Sequence, residues 1–133
     1  MIHVAKILIL DKNGRVLTLE RSETHPRHPL RSDFPGGEVE SGEEIITAAA
    51  RELREETGIE IDQSDVQLIN SVKFSDEFWY SLCSCTVADK PQVELSWEHS
   101  SYKWATISEL KQEVKLPETD PFFVFAIGEL SEF

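Results

Sequence analysis

The sequence is short of positive charge: 13 lysines and arginines stand against 25 aspartates and glutamates, a formal net charge of −12. That balance disfavours unaided binding to DNA, RNA or an anionic membrane, so neither a nucleic-acid polymer nor a membrane is an expected partner. Cysteine is scarce as well, limited to Cys83 and Cys85. Two residues apart on a strand they point the same way, which suits burial better than a disulfide, and with no second CxC or CxxC pair there is no zinc motif. Long apolar runs are missing. The opening "MIHVAKILIL" is interrupted by His3 and Lys6, lacks a small-residue cleavage site and is too short to span a bilayer. It reads as a strand of a cytoplasmic protein.

Hydrophobic residues make up 40% of the chain and aromatics 9%, enough for a buried core. No repeat, low-complexity run or linker divides it, so residues 1–133 are expected to form one compact domain, with assembly into a homodimer left open. "VAKILIL", "DKNG" and "RVLTLERS" read as strand, turn and strand, a hairpin. "ETHPRHPLRSDFPGG" is a loop, because its three prolines and two glycines rule out a regular element, and Arg27 and Arg31 make it locally positive. "SGEEIITAAARELREETG" reads as a helix, with Ser41 and Glu44 as a capping box and Gly58 as terminator. "IEIDQSDVQLINSVKFSDEFWYSLCSCTVA" supplies two or three strands. "SSYKWATISEL" is a last strand running into a short helix, and "DPFFVFAIGEL" a C-terminal helix with Pro121 in its first turn. Mixed strands and helices in this order predict an α/β fold, a sandwich around a mixed sheet.

The segment "RELREETG" carries most of the functional information. On a helical wheel at about 100° per residue, Ile46, Ala50, Leu53 and Thr57 fall on a core stripe. Glu52, Glu55 and Glu56 share a neighbouring arc, and Arg51 and Arg54 lie outside it. Three carboxylates stacked one turn apart repel one another, and the helix dipole disfavours negative charge in the last turns. A hard divalent cation such as Mg²⁺ or Mn²⁺ reverses that sign, since it takes carboxylate oxygens as ligands. The loop ending in "FPGG" runs directly into this helix, and Gly36 and Gly37 allow the backbone to approach a ligand or turn a carbonyl toward a metal. An acidic protein equipped in this way is able to handle a phosphate substrate.

Gly37 to Ile59, "GEVESGEEIITAAARELREETGI", resembles the signature of the Nudix hydrolases, Gx5Ex7REUxEExGU with U a bulky aliphatic residue. It matches at Gly37, Glu43, Arg51, Glu52, Leu53, Glu55, Glu56, Gly58 and Ile59. Seven fixed types at roughly one in fifteen usage apiece give a chance match of about 10⁻⁸ per register, which removes coincidence as an explanation. The resemblance is to the MutT-like branch of small nucleotide pyrophosphohydrolases, and it implies a Nudix-type α/β/α sandwich around a mixed β-sheet. It further implies Mg²⁺, or Mn²⁺, and a small-molecule nucleotide substrate cleaved by attack of water on phosphorus.

Carried over position by position, the resemblance makes Glu52, Glu55 and Glu56 metal ligands, with the Gly37 carbonyl beside them and Arg51 orienting the glutamates. The general base in this family is either a box glutamate, Glu52 or Glu55, or one on a later loop. Glu98 is the later candidate and an additional metal ligand. Arg21, at the end of the second strand, matches a phosphate-contacting arginine, and Arg31 is a similar candidate. Oxidised-guanine triphosphatases place an asparagine in a Pro-x-Asn-x-Pro segment. Here "PETDP" offers Thr119 and Asp120, a departure at the base-recognition position that leaves Thr119 as the substrate-binding candidate. Ser32 occupies a position where the family often has tryptophan, and Phe78, Trp79 or Phe122 could stack on a base instead. The expected reaction converts a nucleoside triphosphate to monophosphate and pyrophosphate. The alternatives are a nucleotide-sugar or dinucleotide pyrophosphatase and a non-catalytic nucleotide-binding module.

Overall fold

The computed structural model describes residues 1–130; positions 131–133 of the expected domain lie outside the described residues. The first element, β1 (Ile2–Leu10), is apolar on both faces: Val4 and Leu8 face one layer, Ala5, Ile7 and Ile9 the other. A strand buried on both sides needs a covering layer on each side of the sheet. On one side these are the helices α2 (Ile107–Glu113) and α3 (Pro121–Leu130), whose Leu110, Phe123, Ala126 and Leu130 pack with Val4, Leu8 and Tyr80. On the other is α1 (Ile45–Thr57), whose Ala48, Ala49 and Leu53 pack with Ala5, Ile7, Ile9 and Cys83. Complete burial of Leu53 alone is worth about 1.5–3 kcal/mol.

The sheet is mixed, as predicted. β1 pairs in parallel with β6 (Phe78–Thr86) over nine residues, and β6 pairs antiparallel with β5 (Gln67–Lys73). β2 (Val16–Arg21) follows β1 through the hairpin turn, in which Asp11 Oδ1 accepts the backbone N–H groups of Asn13 and Arg15. β2 also pairs with β3 (Ser32–Asp33) and β7 (His99–Ala105), while β4 (Gly36–Glu38) runs antiparallel beside β1. Cys83 and Cys85 are buried free thiols. Among the described residues no helix is long and apolar enough to cross a membrane.

Helix boundaries show where local reading succeeds and where it fails. Gly58 ends α1 in the left-handed conformation, φ 75°, with its N–H on the Arg54 carbonyl, as its sequence position predicts. The Ser41–Glu44 capping box does not form. The helix starts at Ile45 with Glu44 at its N-cap and no side-chain cap bond; ahead of it Glu43 Oε1 accepts the Glu40 N–H, and both Glu43 oxygens bond Arg51. A capping box is present at α2, between Thr106 and Glu109. At α3, Asp120 Oδ1 accepts the Phe122 N–H.

Candidate active site

The two glycines of β4 are required by close approaches. Gly36 has φ 144°, and a Cβ there would collide with the Ala5 carbonyl. A Cβ at Gly37 would lie 2.7 Å from both Cδ and Oε1 of Glu52. The carboxylate of α1 therefore rests directly on the Gly37 backbone, where a side chain would displace it. One turn on, Glu56 Oε1 accepts the Gly36 N–H at 3.2 Å. β4 and the glutamates of α1 thus form one unit.

The three glutamates are not equivalent. Glu56 is 2% exposed, within the core rather than on a solvent arc. Burial pushes its pKa up to about 9, against the opposing pull of Lys6. The Glu52 side chain is 16% exposed, and Glu55 is half exposed. The core face of α1 is correspondingly rotated: Ala48, Ala49, Leu53, Glu56 and Thr57 are buried, whereas Ile46 and Ala50 are half-buried. The wheel placed Glu56 with Glu52 and Glu55 on the arc beside the stripe, and packing of β4 against α1, through the Gly36 bond, buries it.

Arg51 lies outside the glutamate arc, yet its long side chain reaches back across it. Nε and Nη2 bond the two oxygens of Glu43, Nη1 bonds Glu52 at 3.1 Å and Glu55 at 3.2 Å, and Nη2 also reaches the Glu38 carbonyl. The hydrogen bond to Glu43 is the main reason that the Arg51 pKa is raised and that of Glu43 lowered. A planar guanidinium with five donors can hold this many acceptors in fixed relation, and a lysine cannot. Glu55 is the i,i+4 neighbour of Arg51 on the helix.

β4 forms one wall of a cavity of about 170 Å³, lined also by Val4, Lys6, Arg21, Arg27, Glu98 and Phe122. Glu98 arrives because β7 pairs with β2 and Ser22 N–H bonds the Glu98 carbonyl; its carboxylate lies 3.7 Å from His25 Nε2. A larger hollow of about 380 Å³ beside α1, lined by Glu43, Arg51, Arg54 and Glu60 among others, shares no lining residue with this cavity. The smaller cavity is where the Gly36–Glu38 backbone, Glu98 and Arg21 meet. Arg31 and Thr119 are not in it: Arg31 Nε bonds the Pro117 carbonyl, and Thr119 Oγ1 bonds the carbonyls of Glu113 and Leu116. Ser32 bonds Glu113, and of the three aromatic candidates Phe122 lines the cavity.

Sequence reasoning missed the ionic floor of this cavity. Lys6 Nζ lies 3.2 Å from Asp33 Oδ1 and donates to the Gly36 carbonyl at 3.1 Å. Arg21 pairs with Asp33 at 3.1 Å and with Asp120, and His99 Nε2 sits 3.1 Å from Asp33. Lys6, Arg21, Asp33, His99 and Asp120 are all buried. Burial would raise the Asp33 pKa, but Lys6, His99 and Arg21 together hold it far below the usual carboxylate range. Burial likewise opposes the charge of Arg21, and Asp33 and Asp120 outweigh it. A charged residue inside the apolar run "VAKILIL" was the available signal, since a buried lysine requires a buried partner. His25, Asp33 and His99 also place donor atoms within 4.8 Å of one another. With Lys6 and Arg21 already on Asp33, a cation there would face two positive neighbours.

A divalent cation fits the glutamate platform better. Glu52 and Glu55 present partly exposed carboxylates, Glu56 is buried beside them, and the absent Cβ of Gly37 leaves backbone next to Glu52. An oxygen-only donor set of this kind suits Mg²⁺ or Mn²⁺.

The family model for the NUDIX domain matches residues 2–124. The chain is 37% identical over 68 residues to the 8-oxo-dGTP diphosphatase of Proteus vulgaris, covering 47% of this chain and 54% of that protein. It is 39% identical over 57 residues to the m7GpppN-mRNA hydrolase NUDT17 of Xenopus laevis, covering 43% of this chain and 19% of that protein. The matches thus span about half and about a fifth of the curated relatives' length. Among solved structures, the MutT protein from Methanosarcina mazei Go1 superposes with a TM-score of 0.76 at 25% identity, covering 98% of this chain and 93% of that one. DR0079 from Deinococcus radiodurans shares the fold with a TM-score of 0.82 at 19% identity, covering 97% and 82%. With its box complete from Gly37 to Ile59 and the family model matched over most of its length, the chain belongs to the NUDIX domain family.

Proposed function

We propose that this protein is a divalent-metal-dependent hydrolase of nucleoside diphosphate derivatives, and that it converts a nucleoside triphosphate to monophosphate and pyrophosphate. The observation that carries the reading is the contact of Glu52 with the side-chain-free Gly37 backbone, at the wall of a cavity that also receives Glu98. The similarity to an 8-oxo-dGTP diphosphatase and to MutT structures supports it.

Glu52, Glu55 and Glu56, with the Gly37 carbonyl, would hold the metal, and Glu98 would add a ligand from the β7 side. Bound there, a divalent cation neutralises charge on the diphosphate and makes a coordinated water more acidic. The chain's own groups do the rest. Arg51 holds Glu52 and Glu55 in fixed geometry through Glu43 and the Glu38 carbonyl. A carboxylate, Glu98 or a box glutamate, takes the proton from the attacking water as its oxygen bonds to phosphorus and the bridging P–O bond breaks. Phe122 offers an apolar wall to the nucleoside.

The test is a screen of nucleoside triphosphates, dinucleotides and nucleotide sugars with Mg²⁺, with products identified by mass. Monophosphate and pyrophosphate from triphosphates alone support the reading. Turnover restricted to dinucleotides or nucleotide sugars moves the assignment to those pyrophosphatases, and no turnover at all favours a nucleotide-binding module.

A further inference from the structure

Charge at the cavity is committed unevenly. Lys6 is buried and held by Asp33 and the Gly36 carbonyl. Arg21 is buried as well, paired with Asp33 and Asp120, and its Nη1 donates to the Arg27 carbonyl at 3.2 Å. Neither has a free charge to offer a bound anion. Arg27 is different. It is exposed at the cavity wall, and among the described residues no carboxylate pairs with its guanidinium, which lies 5.7 Å from the Phe122 ring and 5.8 Å from that of Phe78.

The backbone that carries Arg27 is held on both sides. Its N–H donates to His25 Nδ1 at 3.0 Å, its carbonyl takes the Arg21 bond, and the preceding Pro26 has its φ locked by the ring. An exposed arginine in a loop would ordinarily be an unremarkable solvated charge. Here a buried arginine whose charge is paired with Asp33 and Asp120 fixes the peptide from which an unpaired one reaches the cavity. A guanidinium matches phosphate oxygens with paired donors, and resting on aromatic rings keeps it partly desolvated. Glu38 and Glu98, which line the same cavity, repel an anion.

We propose that Arg27 binds the phosphate chain of the substrate and that Arg21 is a positioning residue acting through the Arg27 carbonyl. This rests on the hydrolase reading and names the side chain that takes the anion, a part that the family resemblance gives to Arg21.

The experiment measures binding of inorganic tripolyphosphate, and separately of a nucleoside without phosphate, to the full chain in Mg²⁺ by calorimetry. The proteins are wild type, Arg27→Ala, Arg27→Lys, Arg21→Lys and the double variant Arg21→Lys/Arg27→Ala, each checked for folding by circular dichroism. Arg27→Ala should weaken tripolyphosphate binding roughly tenfold, with Arg27→Lys in between and nucleoside binding unaffected. Arg21→Lys keeps its charge against Asp33 and Asp120 but loses the bond to the Arg27 carbonyl. It should weaken binding severalfold alone and add nothing in the double variant, a coupling that general loss of structure would not give. Unchanged tripolyphosphate affinity in Arg27→Ala, loss of nucleoside binding only, or a wild type that does not bind tripolyphosphate would overturn the role of Arg27; additive losses would return Arg21 to direct contact. A wild type that binds tripolyphosphate but hydrolyses no nucleotide refutes the hydrolase reading, while the same titrations still decide the role of Arg27.

Discussion

Gly37 and Glu52 meet because Gly37 has no side chain: a Cβ on Gly37 would stand 2.7 Å from the Glu52 carboxyl carbon. Gly37→Ala should therefore push Glu52 off the backbone by an ångström or so without touching the core. A displacement of that size costs on the order of 10²-fold in rate. The check is kcat/KM with Mg²⁺ beside a thermal melt, and a variant with wild-type kcat/KM would separate the close approach from catalysis.

Glu55→Gln and Glu56→Gln should each lower Mg²⁺-dependent turnover by orders of magnitude and leave the fold intact. In Glu56→Gln the amide oxygen still accepts the Gly36 N–H, so the buried geometry persists. A metal that binds only the folded state raises its stability by mass action. The rise in melting temperature on adding Mg²⁺ should accordingly shrink or vanish in both variants, and melts with Mg²⁺ and with a chelator measure it.

Arg51→Lys tests orientation as distinct from charge. Lysine keeps the positive charge but cannot bond Glu43, Glu52, Glu55 and the Glu38 carbonyl together. Loss of such a supporting partner typically costs about 10–100-fold in metal affinity or activity. Titration of Mg²⁺ against initial rate should show the half-saturating concentration rising by that order. An unchanged metal requirement would leave Arg51 with a role in stability alone.

Asp33 should make the protein acid-sensitive. Its folded pKa is depressed, so the stability it contributes is fully present above the ordinary aspartate pKa of about 4 and is lost as pH falls below that value toward the folded pKa. Asp33→Asn removes the partner shared by Lys6, Arg21 and His99, and at pH 7 should cost about 3–5 kcal/mol, because two buried cations lose a counter-charge. Denaturant unfolding between pH 2.5 and 7 should show wild-type stability falling steeply below about pH 4 and a flatter, lower curve for the variant. Equal slopes would mean that the acid sensitivity arises elsewhere.

Local pattern and tertiary contact divided the information between them in a definite way. The strand β1, the "DKNG" turn, the box helix with Gly58 at its end and Pro121 at the start of α3 depend on neighbours within a few residues, and each was legible. The approach of Glu52, Glu55 and Glu56 to one another was legible for the same reason, since helical spacing alone sets it. What each glutamate experiences was not. Glu56 is buried because β4 packs on α1, and Arg51 is the hub because its guanidinium reaches Glu43, Glu52, Glu55 and the Glu38 carbonyl together. The floor of the cavity depends on Arg21 and Asp120, 99 residues apart, and on Asp33 and His99, 66 apart. Nothing local in the chain fixes such pairs, because buried charges are tolerated only where a partner arrives from another element. The sequence by itself determined the family, the layers and the helix that carries Glu52, Glu55 and Glu56. Only the tertiary structure decided which arginine is spent on the fold and which is left free at the cavity.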